Sequence, residues 1–335
     1  MSRKLKPNPQ FISNRQQAPR RQRERKALLF LWIIIPTIVA LSLGLVGYWY
    51  YANHVAVWHQ PVAKVNEKVI DMDYFVKSLR YDWLVLYGGG VDSSFIASQV
   101  LARVEEDELV RQGAEKLGVA VTADEVTQKI RDLLMPSAEG SDGEQPEMAF
   151  DDTYEQWLDL IKLADEEYRQ IVETSLLRQK IAERLKESEV PKEGEQVLLH
   201  AIVVGSEGEA LEVVTRIEGG DDFADLATEL SLGEGSKENG GNQGWVPRGI
   251  SYPELDEVAF ALEVEVVSDP ILVGQSYYVI KVSEKAQNRT IDDEHRNILL
   301  SVEFEKWLVA EREASTIEEY LDQDKIDWAV NKIVG

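Results

Sequence analysis

The sequence predicts an α+β protein, in which a mainly helical module carries one inserted unit with a small antiparallel sheet and is preceded by a single transmembrane helix. Three observations support this fold class. A long apolar run lies near the N-terminus, and several stretches between residues 74 and 187 repeat apolar residues at helical spacing. Two apolar strands, at 197–204 and 277–282, enclose a glycine-rich loop.

The first predicted element is a membrane-spanning helix over residues 27–52. This uncharged run exceeds the ~20 residues that an α-helix needs to cross a bilayer core. Residues 1–26 carry nine Lys/Arg and one acid, so the positive-inside rule predicts a basic cytoplasmic tail and an extracytoplasmic remainder. A cleaved signal would have an apolar stretch of only about 7–15 residues and a small-residue cleavage site. The run ends instead in Tyr48-Trp-Tyr-Tyr51, which favours a retained anchor in the cell membrane.

The composition limits the partners of the exported part. The whole chain has a net charge of −24 although its tail is strongly basic, so the remainder is highly acidic. Such a surface repels nucleic acid, and we expect no nucleic-acid partner. The chain has no cysteine, which excludes disulfides and a lipid-modified cysteine anchor. About 280 residues beyond the anchor exceed one typical domain and predict two packed units.

Residues 53–194 are predicted to form the helical module. A hairpin over Val62–Ile70 opens it, and Asp71 is placed to cap the next helix. The capping sequence Thr122-Ala-Asp-Glu125 marks the start of a later helix, and the Pro-, Gly- and acid-rich residues 136–150 predict a loop. The predicted helices span residues 74–86, 95–117, 123–134 and 153–187.

The inserted unit, residues 195–286, carries the sequence motifs that point to chemistry. It begins with the strand Val197–Val204, continues through an amphipathic helix over 208–220 and ends with the strand Tyr277–Val282. Between them lie Asp222-Phe-Ala-Asp-Leu-Ala227, Gly235-Ser-Lys-Glu-Asn-Gly-Gly-Asn-Gln-Gly-Trp245 and Ala259-Phe-Ala-Leu262. The glycine loop is not a phosphate cradle, because it lacks a Gly-Lys-Ser/Thr ending and is surrounded by negative charge.

This order of motifs resembles the parvulin (PpiC-type) peptidyl-prolyl cis–trans isomerase domain. More weakly, the Val-Ala-x-Val-Asn hairpin and the helices outside the inserted unit are similar to those of extracytoplasmic chaperone-foldases of the SurA and PrsA type. The resemblance implies a SurA-N-like chaperone module with an inserted parvulin domain that acts on unfolded or partly folded exported polypeptides. It implies no cofactor and no metal, since a site need only bind the twisted prolyl amide better than the planar one.

The resemblance also implies roles for individual residues. His200 matches the first of two family histidines, and Tyr278 stands at the position of the second. Gly233 stands where the family has Asp or Cys, with Glu234 beside it as the expected substitute. These matches predict a catalytic set of His200, Tyr278 and Glu234, in which the imidazole and the phenol share a hydrogen bond.

The predicted proline slot departs from the family pattern. Gln243, Ser251 and Leu255 occupy positions where the family commonly places Leu, Met and Phe, and Trp245 and Phe260 complete the expected substrate-binding set. Burying one large apolar side chain is worth about 1.5–3 kcal/mol, so the substitutions weaken the slot. They leave open two alternatives: a non-catalytic holdase with a degenerate parvulin domain, and an inactive scaffold.

Residues 287–335 are predicted to return to the helical module. The span Asp293–Ala314 is predicted to form one helix whose apolar face packs on the helices before residue 190. Ser315–Leu321 is expected to be extended and to pair with the hairpin near Val62. The sequence assigns no role to Trp328.

Overall fold

A computed structural model describes residues 18–135 and 147–334. The helices are α1 (Ala18–His54), α2 (Met72–Tyr81), α3 (Ser93–Leu117), α4 (Ala123–Leu134), α5 (Glu147–Ile161), α6 (Asp165–Ser188), α7 (Glu207–Glu218), α8 (Phe223–Leu230), α9 (Glu234–Glu238), α10 (Pro253–Ala261), α11 (Asp293–Glu313) and α12 (Gln323–Val334). The strands are β1 (Pro61–Val65), β2 (Lys68–Asp71), β3 (Glu193–Val204), β4 (Asn242–Pro247), β5 (Ile271–Val273), β6 (Ser276–Thr290) and β7 (Ile317–Glu319). The mixed α+β class is therefore as predicted.

Helix α1 contains the predicted membrane span. Within the described residues, Ile34–Ala52 is the one stretch long and apolar enough to cross a membrane, with a mean hydropathy of 1.5. None of this stretch is buried within the described residues, and Leu41, Leu45 and Trp49 are all more than 60% exposed. An apolar helix that nothing in the protein covers is suited to a lipid environment.

A three-stranded antiparallel sheet, in the order β2-β1-β7, joins the hairpin that follows α1 to the segment that follows α11. The β7 strand pairs with β1 through Ala63↔Glu319 and Val65↔Ile317, which confirms the predicted pairing. Asn66 has φ 54° in the β1–β2 turn, and its side chain bonds to Gln112 and Ser315. The hairpin is thereby fixed both to α3 and to the residues before β7.

The main core of the helical module is built from both ends of the chain. It unites the hairpin, α2, α3 and α6 with Leu308 of α11 and Ala329 and Ile333 of α12. The ring of Trp328 lies 4.7 Å from that of Trp58, edge to face, so this tryptophan packs the last helix against the segment that follows α1.

The predicted long helix over 153–187 is wrong, because the chain forms two helices, α5 and α6, separated at residues 162–164. Lys162 adopts φ 56°, which ends α5. The new helix is stabilised at its start by the carboxylate of Glu167, which accepts the Ala164 N–H. Residues 136–146 of the predicted loop 136–150 lie outside the described residues. Residues 147–150 belong to α5 rather than to a loop.

The second sheet, in the order β4-β3-β6-β5, is the centre of the inserted unit. Side chains of β3 alternate between its faces. Leu199 and Ala201 pack beneath α10, whereas Ile202 and Val204 pack beneath α7 and α8. The two chain segments that enter and leave the unit run side by side, with Glu193 paired to Thr290. Helix α11 therefore begins at the edge of the inserted unit.

Candidate active site

A cleft of about 710 Å³ lies on the face of the second sheet that carries α10. Strands β3 and β4 form its floor. The loop before α10 forms one side, and α9 with the preceding Gly233 forms the other. The apolar lining residues are Leu199, Ala201, Val203, Val246, Ile250, Pro253, Leu255 and Ile298. The polar lining residues are Ser236, Gln243, Ser251, Tyr252, Tyr278 and His295. A concave, mainly apolar surface with a few polar groups is typical of a ligand-binding site.

Two glycines allow the loop between α9 and β4 to lie tightly against the sheet. Gly240 and Gly241 have φ 57° and 83°, a region that other residues rarely adopt. A Cβ at Gly241 would stand 2.9 Å from the ring of Phe223 and 3.2 Å from the carbonyl oxygen of Ala201. The adjacent glycines of the sequence motif are thus required by close backbone approach at the edge of the cleft.

Two buried serines hold the segment before this loop against β3. The Ser231 hydroxyl accepts the Val203 N–H and donates to Ser236, whose hydroxyl donates to the carbonyl of Ala201. Both serine hydroxyls have hydrogen-bond partners inside the protein. These hydrogen bonds fix the position of Gly233 and Gly235 at the cleft wall.

Four of the sequence-predicted site residues line the cleft: Tyr278, Gln243, Ser251 and Leu255. Leu255 is 6% exposed and joins the cleft to the core below it. The Gln243 side chain donates to the Gly241 carbonyl 3.1 Å away. Burial, together with the neighbouring Tyr252, raises the pKa of the Tyr278 phenol, so its hydroxyl stays protonated at neutral pH and can donate a hydrogen bond.

The predicted hydrogen bond between His200 and Tyr278 is wrong. Tyr278 pairs with Val203 whereas His200 pairs with Lys281, and this register sends the two side chains to opposite faces of the sheet. The His200 ring bonds through Nε2 to the Ser283 hydroxyl at 3.0 Å and packs edge-on against Phe223. Burial, with Lys281 nearby, lowers the pKa of His200, so the imidazole is neutral at neutral pH. His200 therefore lies behind the cleft floor.

Three further predicted residues also lie outside the cleft lining. Trp245 pairs with Leu198 on the opposite face, where the Arg289 guanidinium covers its ring at 4.4 Å. Phe260 is 7% exposed and belongs to the core under α10. Glu234 is exposed at the start of α9, between two glycines that do line the cleft. The expected apolar wall at Trp245 is thus supplied by its neighbour Val246.

The cleft-lining residues that sequence reasoning missed include Val246, Ile250, His295 and Ile298. Val246 and Ile250 each adjoin a residue that was singled out, and the alternation of a strand would have indicated Val246. His295 and Ile298 lie on α11, about 40 residues beyond the loop that they face. Only the folded arrangement of α11 beside the inserted unit brings them to the cleft.

The cleft is lined mainly by apolar side chains, together with the hydroxyl-bearing Ser236, Ser251, Tyr252 and Tyr278. Leu199, Val246 and Leu255 can enclose a pyrrolidine ring, and the Tyr278 hydroxyl lies beside them as a hydrogen-bond donor. A prolyl amide placed there loses water from its carbonyl oxygen. Because amide resonance places negative charge on that oxygen, its desolvation favours the twisted, less polar amide through which isomerisation passes.

Comparisons with known proteins agree with this geometry. A family model for a SurA-like N-terminal domain matches residues 20–182, and a model for a PPIC-type PPIase domain matches residues 205–284. The foldase protein PrsA of Oceanobacillus iheyensis is 32% identical over 178 residues, which cover 51% of this chain and 56% of that protein. The foldase protein PrsA of Caldanaerobacter subterraneus is 26% identical over 269 residues, which cover 80% of each protein. The second family model covers the cleft-lining residues from Gly233 to Tyr278, whereas Leu199, Ala201, Val203, His295 and Ile298 lie outside it.

Among solved structures, the peptidylprolyl isomerase PrsA from Bacillus anthracis aligns with 70% of this chain and 95% of its own length, at 20% identity and a TM-score of 0.44. The parvulin NmPin of Nitrosopumilus maritimus aligns over 27% of this chain and 97% of its own length, at 32% identity and a TM-score of 0.26.

Proposed function

The chain is a SurA/PrsA-like foldase with a parvulin-type peptidyl-prolyl isomerase domain, and we propose that it accelerates cis–trans isomerisation of X–Pro bonds in unfolded polypeptides. The observation that carries this proposal is the apolar cleft on the α10 face, with Tyr278 at its edge. The uncatalysed reaction takes tens of seconds or longer because the barrier is ~18–20 kcal/mol. A cleft that prefers the twisted amide lowers this barrier without a nucleophile.

Each group in the cleft has a proposed part in this reaction. Leu199, Val246 and Leu255 hold the prolyl ring and exclude water from the bond. The hydroxyl of Tyr278 orients the peptide by a hydrogen bond. His200 supports the floor from behind through its bond to Ser283 and keeps β3 and β6 in register, while Glu234 contributes charge near the entrance.

The isomerase proposal is tested by exchange spectroscopy on a short X–Pro peptide with the full chain in detergent micelles. We expect exchange between the cis and trans resonances to exceed the uncatalysed rate by at least tenfold at a chain concentration of about one-tenth that of the peptide. The heat-denatured chain is the control. Unchanged exchange, combined with suppressed aggregation of an unfolded client protein, would instead support the holdase alternative.

We propose that the helical module provides the chaperone activity. Residues 53–194 and 287–335 form its domain, because α11, β7 and α12 complete the core of α2, α3 and α6. Residues 195–286 form the inserted isomerase domain, whose two apolar cores lie on either side of its own sheet. A client held by the module would present its prolines to the isomerase.

The proposed location is the outer side of the cytoplasmic membrane, with the chain held by one helix and the basic tail in the cytoplasm. The basic residues before the apolar run, the acidic composition after it and the aromatic residues at its end support this orientation. Protease added to intact cells should remove everything beyond about Val55 and leave the tail protected. Recovery of a soluble product starting after residue 52 in the medium would contradict the anchor.

A further inference from the structure

The first two turns of α11 reach a cleft that belongs to the inserted domain. His295 and Ile298 line this cleft, although α11 is part of the helical module. Ile298 is 40% exposed, so its side chain is accessible to a ligand bound in the cleft. The cleft therefore has walls from two different domains.

The loop on one side of the cleft rests directly on α11. Ile250 packs against a small buried cluster of Val190, Ile291 and Leu299, which lies where the two domains meet. Gly249, at φ 90°, lies beside α11, where a Cβ would be in ordinary contact with Leu299 at 3.6 Å. The position of this loop, and of Ser251 at its end, thus depends on the helix beneath it.

The remainder of α11 is held firmly by the helical module. Trp307 lies over Gly113 of α3 with no room for a larger residue. Arg312 bonds to the carboxylate of Glu105, which is 1% exposed, and Glu311 pairs with Lys116. A 21-residue helix is about 30 Å long, so α11 connects these contacts rigidly to the cleft.

The ring of His295 is held in a fixed orientation. Its Nδ1 lies 2.7 Å from the carboxylate of Asp292, and its backbone N–H donates to the other oxygen of the same carboxylate. In the neutral imidazole, the bond to the carboxylate places the proton on Nδ1, which leaves Nε2 to accept a hydrogen bond. A peptide N–H is a donor of the required kind.

From these contacts we propose that α11 forms part of the substrate-binding cleft: Ile298 supplies an apolar wall for the prolyl segment, and His295 accepts a backbone N–H from a residue next to the proline. This inference rests on the proposed isomerase function and adds to it the part of the binding site that the isomerase domain alone lacks. Ile298 compensates for Gln243 and Ser251, the two positions where the slot has lost large apolar side chains.

The kinetic test compares three variants of the full chain in micelles. Ile298→Ala and His295→Ala should each raise KM for an X–Pro peptide about fivefold, with a smaller change in kcat, because they remove binding contacts. Val309→Ala is the matched control, since Val309 is similarly exposed on the same helix but does not line the cleft. If both cleft variants keep the KM of the control, the inference is wrong.

A second measurement does not depend on turnover. An X–Pro peptide with a photoreactive benzophenone side chain next to proline should cross-link to residues 292–299, as mapped by mass spectrometry, and the same peptide with proline replaced by glycine should not. If the wild-type chain accelerates no exchange, the isomerase proposal fails, while cross-linking still decides whether α11 contacts bound peptide. Cross-links confined to residues 195–286 would overturn the inference.

Discussion

Replacing Gly113 by alanine should lower the free energy of unfolding of the helical module by about 1–3 kcal/mol, the usual cost of overpacking a core. An added Cβ would overlap the ring of Trp307, which is itself packed on Phe304. Alanine favours a helix over glycine by about 1 kcal/mol, and this gain offsets only part of the overlap. Thermal and chemical unfolding, followed by circular dichroism, would measure the change.

Two matched variants test whether overlap with Trp307 causes the loss of stability in Gly113→Ala. Gly208→Ala places the same methyl group in α7, where nothing lies within 4 Å, so its stability should be unchanged or slightly raised. Adding Trp307→Leu to Gly113→Ala should recover part of the loss, because the smaller side chain leaves room for the methyl group. If Gly113→Ala were as stable as Gly208→Ala, α11 would not be docked on α3 as described.

Replacing Leu255 by alanine should reduce kcat/KM for an X–Pro peptide by about tenfold or more. The side chain is both a wall of the cleft and 6% exposed in the core below it. Its loss removes apolar contact worth about 1.5–3 kcal/mol, and each 1.4 kcal/mol corresponds to a factor of ten. The suppression of client aggregation should persist, since the helical module does not use this cleft.

The control for Leu255→Ala is Leu226→Ala. Leu226 is 1% exposed in the core on the opposite face of the same sheet, so the variant loses similar packing without touching the cleft. Both variants should unfold more easily by about 2–5 kcal/mol. Assayed at a temperature where both remain folded, only Leu255→Ala should lose turnover. Equal losses would mean that stability, rather than the cleft, explains the effect.

The order of elements was predictable from sequence because it depends on local signals. The capping box formed by Thr122 and Glu125 marks the start of α4, and Asp71 caps α2, as the spacing of these residues indicated. The adjacent glycines at 240 and 241 are required by φ angles that other residues rarely adopt. In each case, residues close in sequence determine the local backbone.

The orientation of His200 was not predictable in the same way. A motif aligns residue types, whereas the face of the sheet is set by the pairing register, and a shift of one residue reverses every side chain. Between β3 and β6 the pairing runs without a shift from His200↔Lys281 to Val203↔Tyr278, three residues apart, so the two side chains lie on opposite faces. The sequence does not reveal this register, so the expected contact with Tyr278 was wrong.

The break at Lys162 and the contribution of α11 to the cleft escaped the sequence for another reason. Residues 161–164 contain no glycine or proline, and the turn is favoured because Tyr154 of α5 can then pack beside Tyr168 of α6. His295 and Ile298 reach the cleft only because the two ends of the inserted domain are adjacent. Both features depend on tertiary contacts between distant segments.

We propose that prolyl peptides bind in the cleft on the α10 face of the second sheet. The most direct test is a methyl-resolved NMR titration of the full chain with an X–Pro peptide. We expect the largest shifts at Leu199, Val246 and Leu255, with little change at Ile202, Val204 and Leu226 on the other face. Shifts concentrated on the second group, around His200, would contradict this account.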